Sequence, residues 1–484
     1  MGTPWKKGTG TEPAALFPTF TPLAARSQSP FSTHRLQFEQ WAIVVWARPE
    51  ILPRFRSLGT READSVKKNI PCCTLSLAAL SLLLFAGADW LQFRGPGASG
   101  VSEDTGLPTT WSATENVVWK TAMPGFGAST PITLGDKIFL TAYSGYGLDS
   151  AEPGDQADLV QHVLCVDRAS GKILWDKTSK ARLPEEELGS MLALHGYASS
   201  TPATDGKTLY VFFGRSGVKA YSLDGELLWT TLVGDGTDGW GSATAPILAG
   251  DLVIVNASVE SQSVVALNKT TGEEVWRAKD VPRSWATPAL VDPGDGKQEL
   301  VVSMEFEVRG YDPATGEQLW NCTAVQDYVV PTVIAHDGVV FVTGGRKPLT
   351  VAIRAGGRGD VTDTHLLWEL RKTSKVPTPL YHNGLLYFID HLGIAYCVDA
   401  ATGEVIYTER LSGTGVVYAS QVLADGKLYS VSRTNGAMVL AAGKEFKELA
   451  RNDLGDQSVF NATPVISNGQ LLLRSDKFLY CIGK

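Results

Sequence analysis

Asp312-Pro313-Ala314-Thr315-Gly316-Glu317-Gln318-Leu319-Trp320 is one copy of the turn phrase that decides the fold of this chain. The phrase, Asp-x-x-Thr-Gly-x-x-x-Trp, returns in complete or altered form roughly every forty-odd residues. A fixed period of this length is typical of repeat proteins, in which each unit buries its apolar faces against its neighbours. Further copies occupy residues 166–175, 267–276 and 399–407, and shortened forms end at Trp229 and Trp368.

A second marker, a small residue followed by Pro, opens an apolar run ahead of each phrase. In the unit that begins at Pro379, residues 379–390 read as strand, hairpin and strand, because Asn383 and Gly384 accept the positive φ of a tight turn. Residues 394–399 and 405–407 add a third and a fourth strand, so each unit is a four-stranded antiparallel meander. The markers fall at Pro131, Pro202, Pro246, Pro288, Pro331, Pro379 and Pro464, and Gln421 stands where the Pro of another unit would fall.

Eight such units predict an all-β fold, an eight-bladed β-propeller of four-stranded antiparallel blades. The last unit, residues 463–484, has room for only three strands. A spare strand near residues 116–121 is expected to complete it and close the ring, which leaves no long unpaired edge. The large indoles of the repeat are expected to dock each blade onto the next. These structural residues are Trp119, Trp175, Trp229, Trp276, Trp320 and Trp368.

The N-terminal part lacks the repeat. Lys67 and Lys68, the apolar run 75–85 and the small residues 86–88 have the pattern of a secretory signal peptide, so cleavage near Ala88 and a periplasmic or secreted protein are expected. The run is too short for a membrane span. Residues 1–65 are interpreted as disordered or as a start assigned too early, residues 66–88 as the signal, and residues 89–484 as the propeller.

The net charge and the cysteine positions limit the classes of partner and ligand that the chain is expected to bind. The chain carries a formal net charge of −8, which argues against nucleic acid. Cys165, Cys397 and Cys481 occupy equivalent third-strand positions and are expected to be small buried residues, not metal ligands. A protein or small-molecule ligand and a monomeric state are expected.

Several motifs lack the context that their chemistry requires. The dinucleotide-like fingerprint at residues 234–239 leads into a strand and not a helix. Residues 291–297 resemble a calcium loop but offer too few oxygen ligands, and Arg358-Gly359-Asp360 reads as a solvated loop. No His pair at metal spacing and no Gly-x-Ser-x-Gly elbow occurs, so no nucleophilic machinery is visible and no catalytic or metal-binding residue is assigned.

One rim of the predicted ring combines aromatic and charged residues. Connections leading into the blades carry aromatic residues shortly before the Pro marker, and the turns between second and third strands emerge on the same face. Two long insertions, residues 144–161 and 177–195, belong there too. Exposed clusters of this kind mark ligand or partner sites, although plugging of the channel mouth is the alternative. The candidate ligand-binding residues are Trp240, Trp285, Tyr328, Arg215, Glu305, Arg346, His391 and Arg433.

Together with the segment Asp89-Trp90-Leu91-Gln92-Phe93-Arg94-Gly95-Pro96, the repeats resemble the pyrroloquinoline-quinone-like (PQQ-like) repeat propellers. That superfamily includes the quinoprotein alcohol dehydrogenases and exported BamB-like proteins. The enzymes carry an adjacent-cysteine disulfide, calcium ligands and a catalytic Asp, none of which can be placed on residues 89–484. BamB-like members have a lipid-bearing Cys at the cleavage point, and residues around Ala88 contain none.

Three hypotheses follow. The leading one is an exported, non-catalytic binding or scaffold propeller that uses the aromatic rim and needs no cofactor. The competing one is a PQQ-dependent oxidoreductase with calcium, in which Arg and Trp side chains of the rim hold the quinone. A third is carbohydrate binding, since aromatic residues beside charged groups suit sugar rings.

Overall fold

The computed structural model describes residues 88–189 and 191–483. The proposed start region 1–65 and all of the proposed signal except Ala88 lie outside these residues. Within them the chain forms eight antiparallel sheets arranged as the blades of a propeller, which confirms the predicted fold class. None of the helices in this part of the chain is both long and apolar enough to cross a membrane.

The first four blades follow one another in chain order. Blade 1 contains β2 (Ile132–Leu134), β3 (Lys137–Ser144), β4 (Val160–Asp167) and β5 (Ile173–Lys180), and blade 2 contains β6 (Ala203–Thr204), β7 (Thr208–Phe212), β8 (Val218–Ser222) and β9 (Leu227–Thr231). Blade 3 contains β10 (Ile247–Ala249), β11 (Leu252–Ala257), β12 (Ser263–Asn268) and β13 (Glu274–Ala278), and blade 4 contains β14 (Ala289–Val291), β15 (Glu299–Met304), β16 (Glu307–Tyr311) and β17 (Gln318–Thr323).

The remaining blades have the same order. Blade 5 contains β18 (Ile334–His336), β19 (Val339–Gly344), β20 (Leu349–Arg354) and β22 (Leu366–Leu370), and blade 6 contains β23 (Leu380–His382), β24 (Leu385–Ile389), β25 (Ile394–Asp399) and β26 (Val405–Arg410). Blade 7 contains β27 (Val422–Ala424), β28 (Lys427–Val431), β29 (Ala437–Ala441) and β30 (Glu448–Asn452), and blade 8 contains β31 (Val465–Ser467), β32 (Gln470–Arg474), β33 (Phe478–Ile482) and β1 (Val117–Ala122).

Short helical turns lie in the connections. The α-helical turns are α1 (Ser258–Ser261) and α2 (Thr362–His365), and the 3-10 turns are Pro96–Ala98, Gln156–Asp158, Leu192–Leu194 and Gly214–Ser216. Blade 4 departs from the expected four strands, because β21 (Gly359–Asp360) pairs in parallel with β17. The glycine-rich stretch that reads as a plain solvated loop therefore adds a short fifth strand, although Gly359 and Asp360 are exposed.

The ring closes as predicted. Strand β1 pairs with β33, with Trp119 opposite Cys481 and Lys120 opposite Tyr480. A buried side chain strengthens the junction, since Arg474 of blade 8 donates to the backbone oxygens of Ser129 and Thr141, each at 2.6 Å. Blades 8 and 1 are thus joined by β1, which completes blade 8 before the chain enters blade 1, and by the Arg474 guanidinium.

Tryptophan packing joins most neighbouring blades. The Trp276 ring lies against Gly316 of blade 4, where an added Cβ would stand 2.5 Å from the ring, and Gly316 has φ 74°. The indole N–H donates to the Pro313 oxygen at 3.1 Å. Only glycine therefore suits this turn. The same approach recurs for Trp119 on Gly171, Trp175 on Gly225, Trp229 on Gly272 and Trp368 on Gly403.

Trp320 uses different partners. Its ring packs over Gly310 of its own blade, its N–H donates to Glu299 at 2.7 Å, and it still lies in the core shared with blade 5. Residues 354–365 of blade 5 carry β21 and α2 instead of an Asp-x-x-Thr-Gly turn. Blade 5 therefore has no Thr-Gly turn onto which the Trp320 ring could pack, as Trp276 packs onto Gly316.

A ring of hydroxyl groups surrounds the propeller axis. The backbone N–H of Thr130 in blade 1 donates to the Thr201 hydroxyl of blade 2 at 3.0 Å, and Thr463 in blade 8 donates to Thr130 at 3.2 Å. Equivalent bonds link Ala245 to Thr287, Thr332 to Thr378, Thr378 to Ser420 and Ser420 to Thr463. Ala245 has no hydroxyl, which removes the bond that Thr201 would otherwise donate. The residues beside the markers thus link six of the eight pairs of neighbouring blades.

Candidate functional site

Three aromatic residues from successive blade connections meet on one face of the ring. The Trp240 ring centroid lies 4.8 Å from that of Trp285 and 4.7 Å from that of Tyr328. The Trp285 indole donates to the Gly241 oxygen at 2.8 Å, which fixes its orientation. These are three of the eight candidate residues, and they form a continuous aromatic surface, here called the aromatic cluster.

A charged groove of about 130 Å³ adjoins the aromatic cluster. Glu305 and Arg346 line it, as the sequence places them on this face, together with Asp238, Arg283 and Asp327. Two ion pairs cross it, Arg283 to Asp238 at 2.6 Å and Arg346 to Asp327 at 3.1 Å. The Arg346 guanidinium also lies 5.4 Å from the Tyr328 ring centre, within the range of a cation–π contact.

On its other side the aromatic cluster lines an axial cavity of about 180 Å³. The rest of the wall consists of the axial hydroxyl groups and small apolar residues, with Phe93, Met191, His195, Tyr418 and Asn461. Among residues 88–189 and 191–483, no Lys, Arg, Asp or Glu lines this cavity. The space therefore suits an uncharged or aromatic group better than an ion.

The rim-side mouth of the cavity is covered by residues 191–196, at the end of the second insertion. Leu192 donates through its N–H to the Gly239 oxygen at 3.2 Å. Across the axis, the Leu194 oxygen accepts from Arg433 at 3.1 Å and from Asn461 at 2.7 Å. The insertion thus bridges blades on opposite sides of the ring.

His195 fixes this cover to the aromatic cluster. Its Nε2 lies 2.8 Å from the Trp240 backbone oxygen and its Nδ1 lies 2.6 Å from the Ser199 hydroxyl. A carbonyl only accepts, so Nε2 carries the proton and Nδ1 accepts from Ser199. Burial lowers the pKa of the imidazole, which keeps it neutral.

The opposite mouth is covered by residues 88–101. Trp90 and Thr133 exchange bonds, and Leu91 accepts from the Thr204 N–H at 2.9 Å. Arg94 is fully buried and donates to the Pro379 oxygen of blade 6 at 3.0 Å. This segment crosses the base of the ring and directs Phe93 into the cavity. Its composition alone gives no sign of such a role.

The other candidate residues are dispersed. Arg433 stacks at 4.9 Å on Tyr418, a wall residue of the axial cavity, and burial lowers the pKa of its guanidinium. Arg215 donates to the Pro184 oxygen and lines a separate pocket. His391 is part-buried in its turn, and burial lowers the pKa of its imidazole. The structure therefore does not bring Arg215 or His391 to the aromatic cluster.

The separate pocket is lined by four acidic residues that the sequence analysis did not select, Glu185, Glu186, Asp238 and Glu260. Glu260 is only 5% exposed, and neither of its carboxylate oxygens has a hydrogen-bond partner among the described residues. Burial raises the pKa of Glu260 to about 7; the neighbouring Ser242 hydroxyl opposes this shift without reaching hydrogen-bond geometry. Burial also raises the pKa of Glu185 to about 7, with a smaller effect from Arg215 that lowers it.

Comparison with known proteins agrees with this architecture. Residues 160–409 match the family profile described as outer membrane protein assembly factor BamB. A tetrathionate hydrolase of Acidithiobacillus ferrooxidans is 22% identical over 365 residues, which cover 68% of this chain and 67% of the relative.

Two solved structures have the same fold. BamB from Moraxella catarrhalis superposes with a TM-score of 0.54 at 12% identity, over 76% of this chain and 97% of that one. A europium-containing methanol dehydrogenase gives 0.54 at 12% identity, over 81% and 89%. At these identities the structures establish the fold alone. Because the profile covers more than half of the sequence, the chain belongs to the PQQ-like repeat family described as outer membrane protein assembly factor BamB.

Proposed function

We propose that this protein is an exported binding propeller that holds a protein partner in the charged groove beside the aromatic cluster. The observation that carries the proposal is the contact of Trp240, Trp285 and Tyr328 at the edge of a groove that also presents Arg346 and Glu305. Tryptophan, tyrosine and arginine are the residues most enriched among the energetic centres of protein interfaces.

The distribution of charge supports a macromolecular partner. The groove is open to partners, and its Arg346 side chain is 68% exposed. The axial cavity, by contrast, has no charged side chain in its wall among the described residues. The family description, which names an assembly factor, also supports a protein partner. Export is supported by the signal-like residues 66–88.

Site-specific photo-crosslinking in the native cells tests this proposal. A benzoylphenylalanine at Arg283, whose side chain in the groove is 60% exposed, is expected to capture a defined protein, whereas the same probe at Lys172, on the opposite face of the ring, captures none. The charge reversal Arg346→Glu should abolish the adduct formed from a probe at Glu305. Identical adducts from both faces, or an adduct unaffected by the charge reversal, would contradict the proposal.

A second candidate function is binding of a small planar ligand in the axial cavity. It is favoured by the two indoles 4.8 Å apart in a wall of hydroxyl, aromatic and apolar groups that has no charged side chain among the described residues. PQQ fits this lining poorly, because its three carboxylates would meet no cationic side chain. In the described part of the chain, no three His, Cys, Asp or Glu side chains are grouped to hold a metal.

A thermal shift experiment separates the two candidates. Addition of PQQ with Ca²⁺ is expected to leave the unfolding temperature unchanged, whereas a ligand at a hundred times its dissociation constant stabilises by about 2.7 kcal/mol. A saturable shift with PQQ that is lost in Trp240→Ala would favour the oxidoreductase alternative. An uncharged aromatic compound that produces the shift would instead favour small-ligand binding.

A further inference from the structure

Three side chains of blade 1 form a hydrogen-bonded chain outside the site described above. The Ser144 hydroxyl lies 2.8 Å from His162 Nε2, and His162 Nδ1 lies 2.9 Å from a carboxylate oxygen of Asp176. This is the order and spacing of a nucleophile, a general base and an orienting acid.

The strand register explains why the three residues meet. In the pairing of β3 with β4, His162 of β4 lies opposite Ala142 of β3. Ser144 comes two residues after Ala142 on β3 and therefore lies on the same face of the sheet. On β4 and β5, Asp176 lies opposite Leu164, again on that face. Side chains alternate along a strand, so all three point to one side of the sheet. No local motif announces them, because they belong to three different strands.

The hydrogen bonds assign the protons. A carboxylate accepts only, so His162 donates to Asp176 from Nδ1 and presents the Nε2 lone pair to the Ser144 O–H. The His162 side chain is 8% exposed and that of Asp176 is 29% exposed. The imidazole is therefore held by packing, and its orientation is fixed from both nitrogens.

Ser144 stands where β3 leaves the sheet for the first insertion. It is half-buried, and the next residue, Gly145, is exposed with φ 83°. A Cβ on Gly145 would lie 2.0 Å from the Asp158 backbone oxygen, so this position requires glycine. In α/β-hydrolases the backbone N–H of the residue after the nucleophilic serine donates a hydrogen bond to the oxyanion.

We propose that Ser144, activated by His162 and oriented by Asp176, is a nucleophile for acyl transfer from small carboxylic esters. The Ser144 oxygen attacks the ester carbonyl carbon while its proton passes to His162 Nε2. The C–O bond to the leaving alcohol breaks, and that proton goes to the alcohol. Water, deprotonated by the same imidazole, then releases the acid and restores the serine.

This site is independent of the charged groove. The triad faces blade 8, since neighbouring residues on the same side of β3 and β4 belong to the core shared with that blade. The aromatic cluster is contributed by the connections into blades 3, 4 and 5. Loss of partner binding and loss of serine reactivity are consequently separable.

Fluorophosphonate labelling of the purified protein tests the proposal, with the modified residue mapped by mass spectrometry. Ser144 is expected to be labelled, Ser144→Ala to remove the label, and the exposed control Ser150→Ala to retain it. Asp176→Asn should slow labelling and p-nitrophenyl acetate hydrolysis by roughly 100-fold or more if the acid orients the base.

Two results would overturn it. The first is the absence of a Ser144 adduct when an authentic serine hydrolase is labelled in the same tube. The second is labelling of Ser144 no faster than Ser150, or unchanged by Asp176→Asn, because a hydrogen-bonded trio with only a structural role would not accelerate the reaction. Unchanged unfolding temperatures of Ser144→Ala and Asp176→Asn would show that the variants are folded.

Discussion

Replacing Glu260 by Gln is expected to stabilise the protein at alkaline pH. The carboxylate is 5% exposed, has no hydrogen-bond partner in the described structure and sits in a pocket with Glu185. Its ionised form is therefore costly, and burial raises its pKa from 4.5 to about 7. Glutamine keeps the size of the side chain and never ionises.

The direction and size of the effect follow from this pKa. The folded state holds the Glu260 proton more tightly than the unfolded state, so the free energy of unfolding falls as pH rises from about 4.5 through about 7. At about 1.36 kcal/mol per pKa unit, the rise from 4.5 to about 7 corresponds to a loss of about 3.4 kcal/mol. For a propeller of this size that corresponds to roughly 3 to 4 °C in unfolding temperature.

The assay is urea unfolding at a series of pH values between about 4.5 and 8. We expect wild type and Glu260→Gln to have similar stability at the acid end and the variant to be more stable above pH 7. Glu317→Gln, which changes an exposed carboxylate in a turn, is the matched control and should follow wild type. A variant that keeps the wild-type pH slope, or is less stable at pH 8, would refute the reasoning.

Other predictions concern the junctions between blades. Trp276→Ala should lower the free energy of unfolding by about 3–5 kcal/mol in urea denaturation, because an 8%-exposed indole leaves a cavity against the next blade. Gly316→Ala should lower the unfolding temperature far more than Gly250→Ala, since both have positive φ but only Gly316 would place its Cβ against a ring; equal losses would mean that strain alone matters. Arg474→Met removes the guanidinium bonds to the Ser129 and Thr141 oxygens, so hydrogen exchange at the junction of blades 8 and 1 should accelerate while blade 4 is unaffected.

The candidate site was only partly accessible from the sequence. Trp240, Trp285 and Tyr328 precede the Pro markers of successive blades, and such equivalent positions must emerge on one face of a ring. Arg215 and His391 lie in turns between second and third strands, which are expected on the same face, yet they lie away from the cluster. Their side chains are directed by local packing and by the insertions, neither of which follows the repeat.

The repeat by itself determined the eight blades, their four-strand order and the closure of the last blade by β1. Alternation along a strand and turn chemistry are local properties, and a period repeats them without reference to distant residues. The tertiary structure alone decided that residues 191–196 and 88–101 cover the two mouths, that Glu260 has no hydrogen-bond partner among the described residues, and that Ser144, His162 and Asp176 meet. These contacts depend on aperiodic loop paths and on registers between strands, where packing across the ring, and not any local signal, selects the partner.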